Sequence, residues 1–169
     1  MLQLISVVML IYSFFLIRTS IPTLPRLIST HFNAAGEPNS WGSPNTLWLL
    51  LGAQALTTVV FLIVPYLSQR NPGAVHFGAR RLSEFPPAVR KRMASLVNQM
   101  VGILSIVVNL VLVLMLHEVI RASAQPIPRL HPFSPLAFLI FSTVVIVVYY
   151  FWKFNMLAKG EDADGSSNP

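Results

Sequence analysis

Five of the chain's ten His, Asp and Glu side chains could form one metal site: His31, Glu37, His117, Glu118 and His131. Imidazole nitrogens and carboxylate oxygens are ligands that Zn²⁺ accepts, and all five fall on one predicted side of a membrane. Their spacing matches no compact metal motif, because the residues after His117-Glu118 include no second histidine of an HExxH helix. An interfacial histidine is more often a hydrogen-bonded structural residue, so we predict no metal site and no cofactor.

Patterns that mark common catalytic sites do not occur in this sequence. The chain contains no cysteine, so a thiolate nucleophile and a disulfide framework are both excluded. It also lacks a serine nucleophile elbow, a glycine-rich phosphate loop and paired aspartates. We therefore predict that the protein is not an enzyme.

A polar set recurs in a long apolar stretch at spacings of four, three and four residues: Asn98, Gly102, Ser105 and Asn109. At 3.6 residues per turn these positions share one helix face. One interpretation is a helix-packing face, where a small residue permits close approach and amides bond to neighbouring helices. The alternative is a polar path in a small transporter or permease component, with Gln54, Thr57 and Thr58 facing it. None of these side chains ionises, whereas proton relays and pumps use ionisable groups, and this favours packing.

These residues must be positioned by membrane-spanning helices. The chain has 169 residues, 54% of them hydrophobic and only 11% charged, too few polar side chains to cover a globule. Four apolar stretches approach the roughly 20 residues that cross a bilayer: residues 1–17, 47–67, 96–116 and 136–152. The first has no basic segment before it and no small-x-small cleavage site after it, so we expect a retained helix. We predict an all-α polytopic membrane protein with four transmembrane helices.

The positions of these apolar stretches divide the chain into four segments. Residues 1–70 form a two-helix region, 71–95 a basic loop, 96–155 a second helix pair, and 156–169 a tail rich in Asp, Gly and Ser that we predict to be disordered. Six of the twelve Lys and Arg lie between the second and third spans, five of them in the basic loop and the sixth at Arg70, and two more follow the last span. The positive-inside bias therefore predicts that this loop and both termini are cytoplasmic.

The basic loop carries Arg80-Arg81 and Arg90-Lys91-Arg92, which could contact nucleic acid or a regulatory protein. A helix that begins near Pro87 would carry the second group directly into the third span, at the depth of the lipid headgroups. We therefore predict that the partners are the bilayer and its anionic headgroups, and not nucleic acid.

The segment between the first two spans combines turn residues with polar side chains. Gly36 can adopt positive φ, Glu37 before Pro38 favours an extended backbone, and Pro38-Asn39 favours a turn. Local patterns predict a short helix or an extended piece closed by turns. Trp41 suits the headgroup region just before the second span.

This segment resembles the signature of the DUF1648 family, bacterial membrane proteins that include the SdpI-type immunity proteins. The likeness rests on Leu24-Pro25, Thr30-His31-Phe32-Asn33, Ala35-Gly36-Glu37-Pro38 and Trp41-Gly42, and it covers about the first 70 residues. The chain has Ser29 where the family commonly has proline. The resemblance implies a bacterial cytoplasmic-membrane protein of largely unassigned role.

We therefore predict a noncatalytic membrane protein that senses or binds an extracytoplasmic ligand, or confers immunity to a membrane-active peptide. The candidate ligand-binding residues are those of the polar segment: His31, Asn33, Gly36, Glu37 and Trp41. A peptide or protein partner is compatible with both versions.

Overall fold

A computed structural model describes residues 2–33, 35–71, 73, 76–77, 80–125 and 135–165. The fold is 81% helical. Its four long helices are α1 (Leu2–Ser20), α2 (Leu47–Arg70), α3 (Pro87–Ser123) and α4 (Pro135–Gly165). Each is long and apolar enough to cross a membrane, which confirms the predicted all-α, multi-pass fold. Large apolar side chains cover the outside of the bundle, among them Leu49, Leu56 and Phe141, as expected of surfaces that face lipid.

The third helix is the centre of the bundle, because it packs against each of the other three. Its 37 residues correspond to about 55 Å at 1.5 Å per residue, well beyond a hydrocarbon core of about 30 Å. The helix begins at Pro87 after an extended Pro86, a position where the missing N–H of proline costs no hydrogen bond. Residues 87–95, assigned from the sequence to the basic loop, are therefore helical.

The second helix contains a proline whose lost hydrogen bond is replaced from another helix. Pro65 has no N–H to donate to the carbonyl of Phe61, four residues earlier. The side chain of Gln3 on α1 donates its Nε2 hydrogen to that same carbonyl oxygen at 3.0 Å. A gap in the backbone bonding of α2 thus becomes a bond between α1 and α2.

Two antiparallel hairpins lie at opposite ends of the bundle. Strands β1 (Ile28–Phe32) and β2 (Pro38–Gly42) connect α1 to α2, and the two-residue strands β3 (His76–Phe77) and β4 (Arg80–Arg81) precede α3. The extended alternative for the first connection is confirmed. The turn predicted at Pro38-Asn39 is wrong: β2 begins at Pro38, because proline is acceptable at the first residue of a strand, and the turn lies before it.

Two buried apolar clusters hold the bundle together. One joins α3 to α4 near the basic loop and is centred on Met93, Val97, Tyr150 and Phe154. The other, at the β1–β2 end, joins Ile17, Ile28, Leu47 and Leu116. The fourth helix continues through Leu157 to Gly165, whereas the sequence predicts a disordered tail from residue 156; the last four residues lie outside the described part of the chain.

Candidate functional site

The turn between β1 and β2 is organised by one asparagine. The backbone N–H of Asn33 donates to the carbonyl oxygen of Glu37 at 2.9 Å, and the Asn33 side-chain oxygen accepts from the N–H groups of Ala35 and Glu37 at 3.0 and 2.9 Å. Gly36 has φ of 77°, a value that L side chains rarely adopt. Asn33 and Gly36 therefore shape the turn, which assigns these two candidate ligand residues a structural task.

The histidine of the hairpin is held across the two strands. Its Nδ1 lies 2.5 Å from Oδ1 of Asn39 on β2, and neighbouring Thr30 donates its hydroxyl hydrogen to Oγ of Ser40 at 3.2 Å. An amide oxygen accepts hydrogen bonds, so with Asn39 in this orientation Nδ1 carries the proton. The Nε2 atom of His31 then remains as the acceptor that this side chain can offer to a ligand.

A cleft of about 760 Å³ lies below the hairpin, between β1, β2 and the adjoining parts of α2, α3 and α4. Its upper wall comes from the hairpin and the start of α2 and carries the polar residues Ser29, Thr30, His31 and Thr46 beside Ile28, Phe32 and Trp41. Its lower wall is apolar and comes from the helices: Leu47, Leu49, Leu50, Val108, Val111, Leu112, Met115, Val119 and Leu139. The cleft therefore combines a polar rim with an apolar floor.

One hydroxyl in this cleft has no hydrogen-bond partner in the described structure. Ser29 is fully buried, and its Oγ makes no hydrogen bond. A buried hydroxyl without a partner costs free energy of roughly 1–3 kcal/mol. Because this hydroxyl is not exposed to the cleft, the polar side chains that a ligand could reach there are Thr30, His31 and Thr46.

The hairpin sits at a definite place because it is anchored to the helices. Ile28 is only 1% exposed and packs with Ile17 and Leu116 of α1 and α3. At Gly42, a Cβ atom would lie 2.9 Å from Cγ2 of Thr30, too close for any larger residue without a shift. Trp41, in contrast, is half exposed and borders the cleft.

Residues 4–55 match the family described as Domain of unknown function (DUF1648), a range that begins in α1, includes the hairpin and ends in α2. This part of the chain is similar to that family, and we refer to residues 4–55 as the DUF1648-like region. No curated protein and no solved structure matches the chain. The cleft is thus shared between the DUF1648-like region and two helices outside it, α3 and α4.

The four candidate metal ligands in the described part of the chain are not brought together by the fold. His31 of the hairpin bonds to Asn39, whereas His117 of α3 stacks on Tyr12 with its Nε2 atom 2.7 Å from the phenolic oxygen. Glu118 forms an ion pair with Arg121 at 2.6 Å. Among the described residues no group of three His, Asp or Glu side chains could hold a metal ion, and His131 lies outside the described part.

The polar residues of α3 lie at the interface with α1 and α2. Ser105 shares a hydrogen bond of 2.8 Å with Ser6 of α1. Asn109 is fully buried, accepts from Thr58 of α2 at 3.0 Å and donates to the carbonyl of Ser105 at 2.9 Å. Gly102 lies so close to α1 that an added Cβ would be 3.0 Å from the Cβ of Leu2. Three of the four predicted residues therefore contact neighbouring helices.

The fourth member of that set occupies a different environment. Asn98 lines a shallow cleft of about 330 Å³ together with Gln3, Gln69 and Gln99. Gln54 is buried on α2, and its Nε2 atom has no hydrogen-bond partner in the described structure.

Sequence reasoning missed several residues that define these sites, namely Gln3, Tyr12, Ser29 and Asn39. Tyr12 and Gln3 have partners more than 50 positions away, which no local pattern reveals. For Ser29 the sequence did offer a signal, because the resemblance to the family predicts a proline at this position.

Proposed function

We propose that the protein is a noncatalytic membrane protein that binds an amphipathic extracytoplasmic ligand in the cleft below the β1–β2 hairpin. The observation that carries this proposal is the cleft of about 760 Å³, which brings the exposed polar side chains of Thr30 and His31 next to an apolar floor. Pockets of this size hold small ligands, and a few placed polar groups above an apolar floor orient them.

The chemistry of the two walls determines the ligand class. The floor is made by helix faces at membrane depth, so an apolar chain can enter sideways from the lipid. The rim offers Thr30, His31 and Thr46 to a polar head. A membrane-active peptide has both parts, and its capture would make the chain an immunity protein. If the protein instead senses the ligand, the bound ligand would alter the contact between the basic loop and a regulatory protein.

Binding can be followed by the fluorescence of Trp41, which borders the cleft. We would replace Trp48 and Trp152 by Phe, reconstitute the protein in nanodiscs and titrate membrane-active peptides that lack tryptophan. At least one peptide should give a saturable change. Leu112→Phe, which adds volume to the floor, should weaken binding by tenfold or more.

Leu114→Phe is the matched control, because Leu114 lies on the same helix, is exposed and does not line the cleft. It should bind as the parent protein does. Equal loss in the two variants, or no saturable response with any peptide, would reject the proposed ligand class.

The proposal requires that the hairpin faces away from the cytoplasm. Since the chain has no cysteine, single cysteines at Ser40, Ser83 and Ala124 can be probed on intact cells with an impermeant maleimide. All three positions are exposed. Labelling at Ser40 and Ala124 with protection at Ser83 is expected. The inverse pattern would place the hairpin in the cytoplasm and remove the basis for extracytoplasmic binding.

A small transporter or permease component is the second candidate. It is favoured by the polar cleft at Asn98 and Gln99, which continues the α3 face that carries the buried Asn109. Solute flux in proteoliposomes should then fall when Asn98 and Asn109 are replaced by Leu, while Leu112→Phe leaves flux intact. Absence of flux for every solute tested would reject this candidate.

A further inference from the structure

A second groove lies at the other end of the bundle, between the first turns of α3 and the later part of α4. Its volume is about 530 Å³. Arg92 and Lys153 contribute the two charges, one from each helix, and Leu96, Trp152, Met156 and Leu157 contribute apolar surface. The groove thus has two cations beside a wall suited to hydrocarbon.

Neither cation is neutralised within the described structure. The described residues contain no ion pair that involves the Arg92 guanidinium or the Lys153 ammonium group. Arg92 is exposed, and the Nζ atom of Lys153 lies 5.1 Å from the ring centre of Tyr149. The aromatic face orients the lysine but carries no formal charge, so an anion in the groove would meet two positive charges.

The two cations also mark the same depth in the membrane. In α3, no charged residue follows Arg92 until Glu118, and in α4 none precedes Lys153. At this end of the bundle, each is therefore the charge nearest the hydrocarbon core on its own helix. Because α3 and α4 run in opposite directions and pack through Met93, Val97, Tyr150 and Phe154, the fold delivers both charges to one groove at the headgroup level.

We propose that this groove binds one anionic phospholipid of the surrounding bilayer. The phosphate lies between Arg92 and Lys153, and the first part of an acyl chain covers Leu96, Trp152 and Met156. Basic pockets between transmembrane helices bind anionic headgroups in this way. A discrete lipid site differs from the diffuse attraction that the basic loop exerts on any anionic surface.

Trp152 lines the groove and reports directly on the lipid beside it. We would replace Trp41 and Trp48 by Phe, reconstitute the protein at a fixed lipid ratio, and compare quenching of Trp152 by phosphatidylglycerol and phosphatidylcholine with brominated acyl chains. We expect a preference of about tenfold or more for the anionic lipid, since two cations near a membrane surface can together provide up to about thirtyfold. The double variant Arg92→Gln/Lys153→Gln should reduce the preference to less than about twofold.

The double variant Arg90→Gln/Lys91→Gln is the matched control, because it also removes two positive charges, both next to Arg92 on α3, and neither residue lines the groove. It should retain the tenfold preference. Equal quenching by the two lipids in the parent protein would overturn the proposal. An equal loss of the lipid preference in both double variants would also overturn it, since this would show a diffuse attraction of anionic lipid to all nearby cations. Circular dichroism of each variant would verify that the helices are intact.

Discussion

The two faces of α3 are built in different ways. Toward α1 and α2, the helix presents Ser105 and the fully buried Asn109, which bond to Ser6 and Thr58. Toward α4, it presents Met93, Val97 and Val101, which pack against Tyr150 and Phe154 through apolar contact. One face is hydrogen-bonded and the other depends on shape.

This difference matters because lipid is as apolar as a leucine side chain. Burial of apolar surface between two helices in a bilayer provides little of the driving force that it provides in water, so packing and interhelical hydrogen bonds decide which helices associate. The bonded face of α3 therefore specifies the position of α1 and α2, and with them the hairpin that they flank. The apolar face is expected to tolerate changes that conserve volume.

The largest loss is expected on the bonded face, from Asn109→Leu. The substitution removes the bond from Thr58 and the bond to the Ser105 carbonyl, at a cost of about 1 to 1.5 kcal/mol in a membrane environment. The measurement is the free energy of unfolding in detergent micelles, followed by circular dichroism during titration with dodecyl sulfate. Gln99→Leu, on an exposed position of α3, is the control and should cost nothing measurable.

A smaller loss is expected where α1 compensates for the proline of α2. Gln3→Leu leaves the Phe61 carbonyl oxygen without its donor and should lower the free energy of unfolding by about 1 kcal/mol. In a Pro65→Ala background the backbone regains an N–H that can bond that carbonyl, so Gln3→Leu should then cost about half as much or less. Equal costs in both backgrounds would show that the Gln3 bond does not serve the gap left by Pro65.

The smallest change is expected on the apolar face. Met93 is fully buried against α4, and Met93→Leu conserves volume, so we expect the free energy of unfolding to change by less than about 0.5 kcal/mol. The same titration measures it. A loss as large as that of Asn109→Leu would contradict the distinction between the two faces.

Much of the fold follows from local patterns. Four apolar runs without charge predict four helices, because a spanning backbone must satisfy its hydrogen bonds internally. Pro86-Pro87 indicates the start of α3, and Gly36 indicates the positive φ of the turn. The polar face of α3 is visible in the spacing of Ser105 and Asn109, although its partners are not.

The candidate site was predicted only in part. The sequence points to the hairpin segment, and the family match includes it. The spacing around Glu37 could not reveal the pairing of β1 with β2, which brings His31 to Asn39. Nor could it reveal that Ser29 is buried without a hydrogen-bond partner among the described residues, because burial depends on which elements surround a side chain.

Composition and periodicity by themselves determined that the chain enters a membrane, where its helices run, and which segment carries the family signature. These properties depend on the length and polarity of contiguous residues, because the thickness and apolar interior of the bilayer set the length and composition of a spanning helix. Only the tertiary structure decided that Gln3 serves Pro65, that α3 and α4 complete the cleft below the hairpin, and that Arg92 meets Lys153 in one groove. Each joins residues more than 50 positions apart, and such contacts are selected by packing between helices.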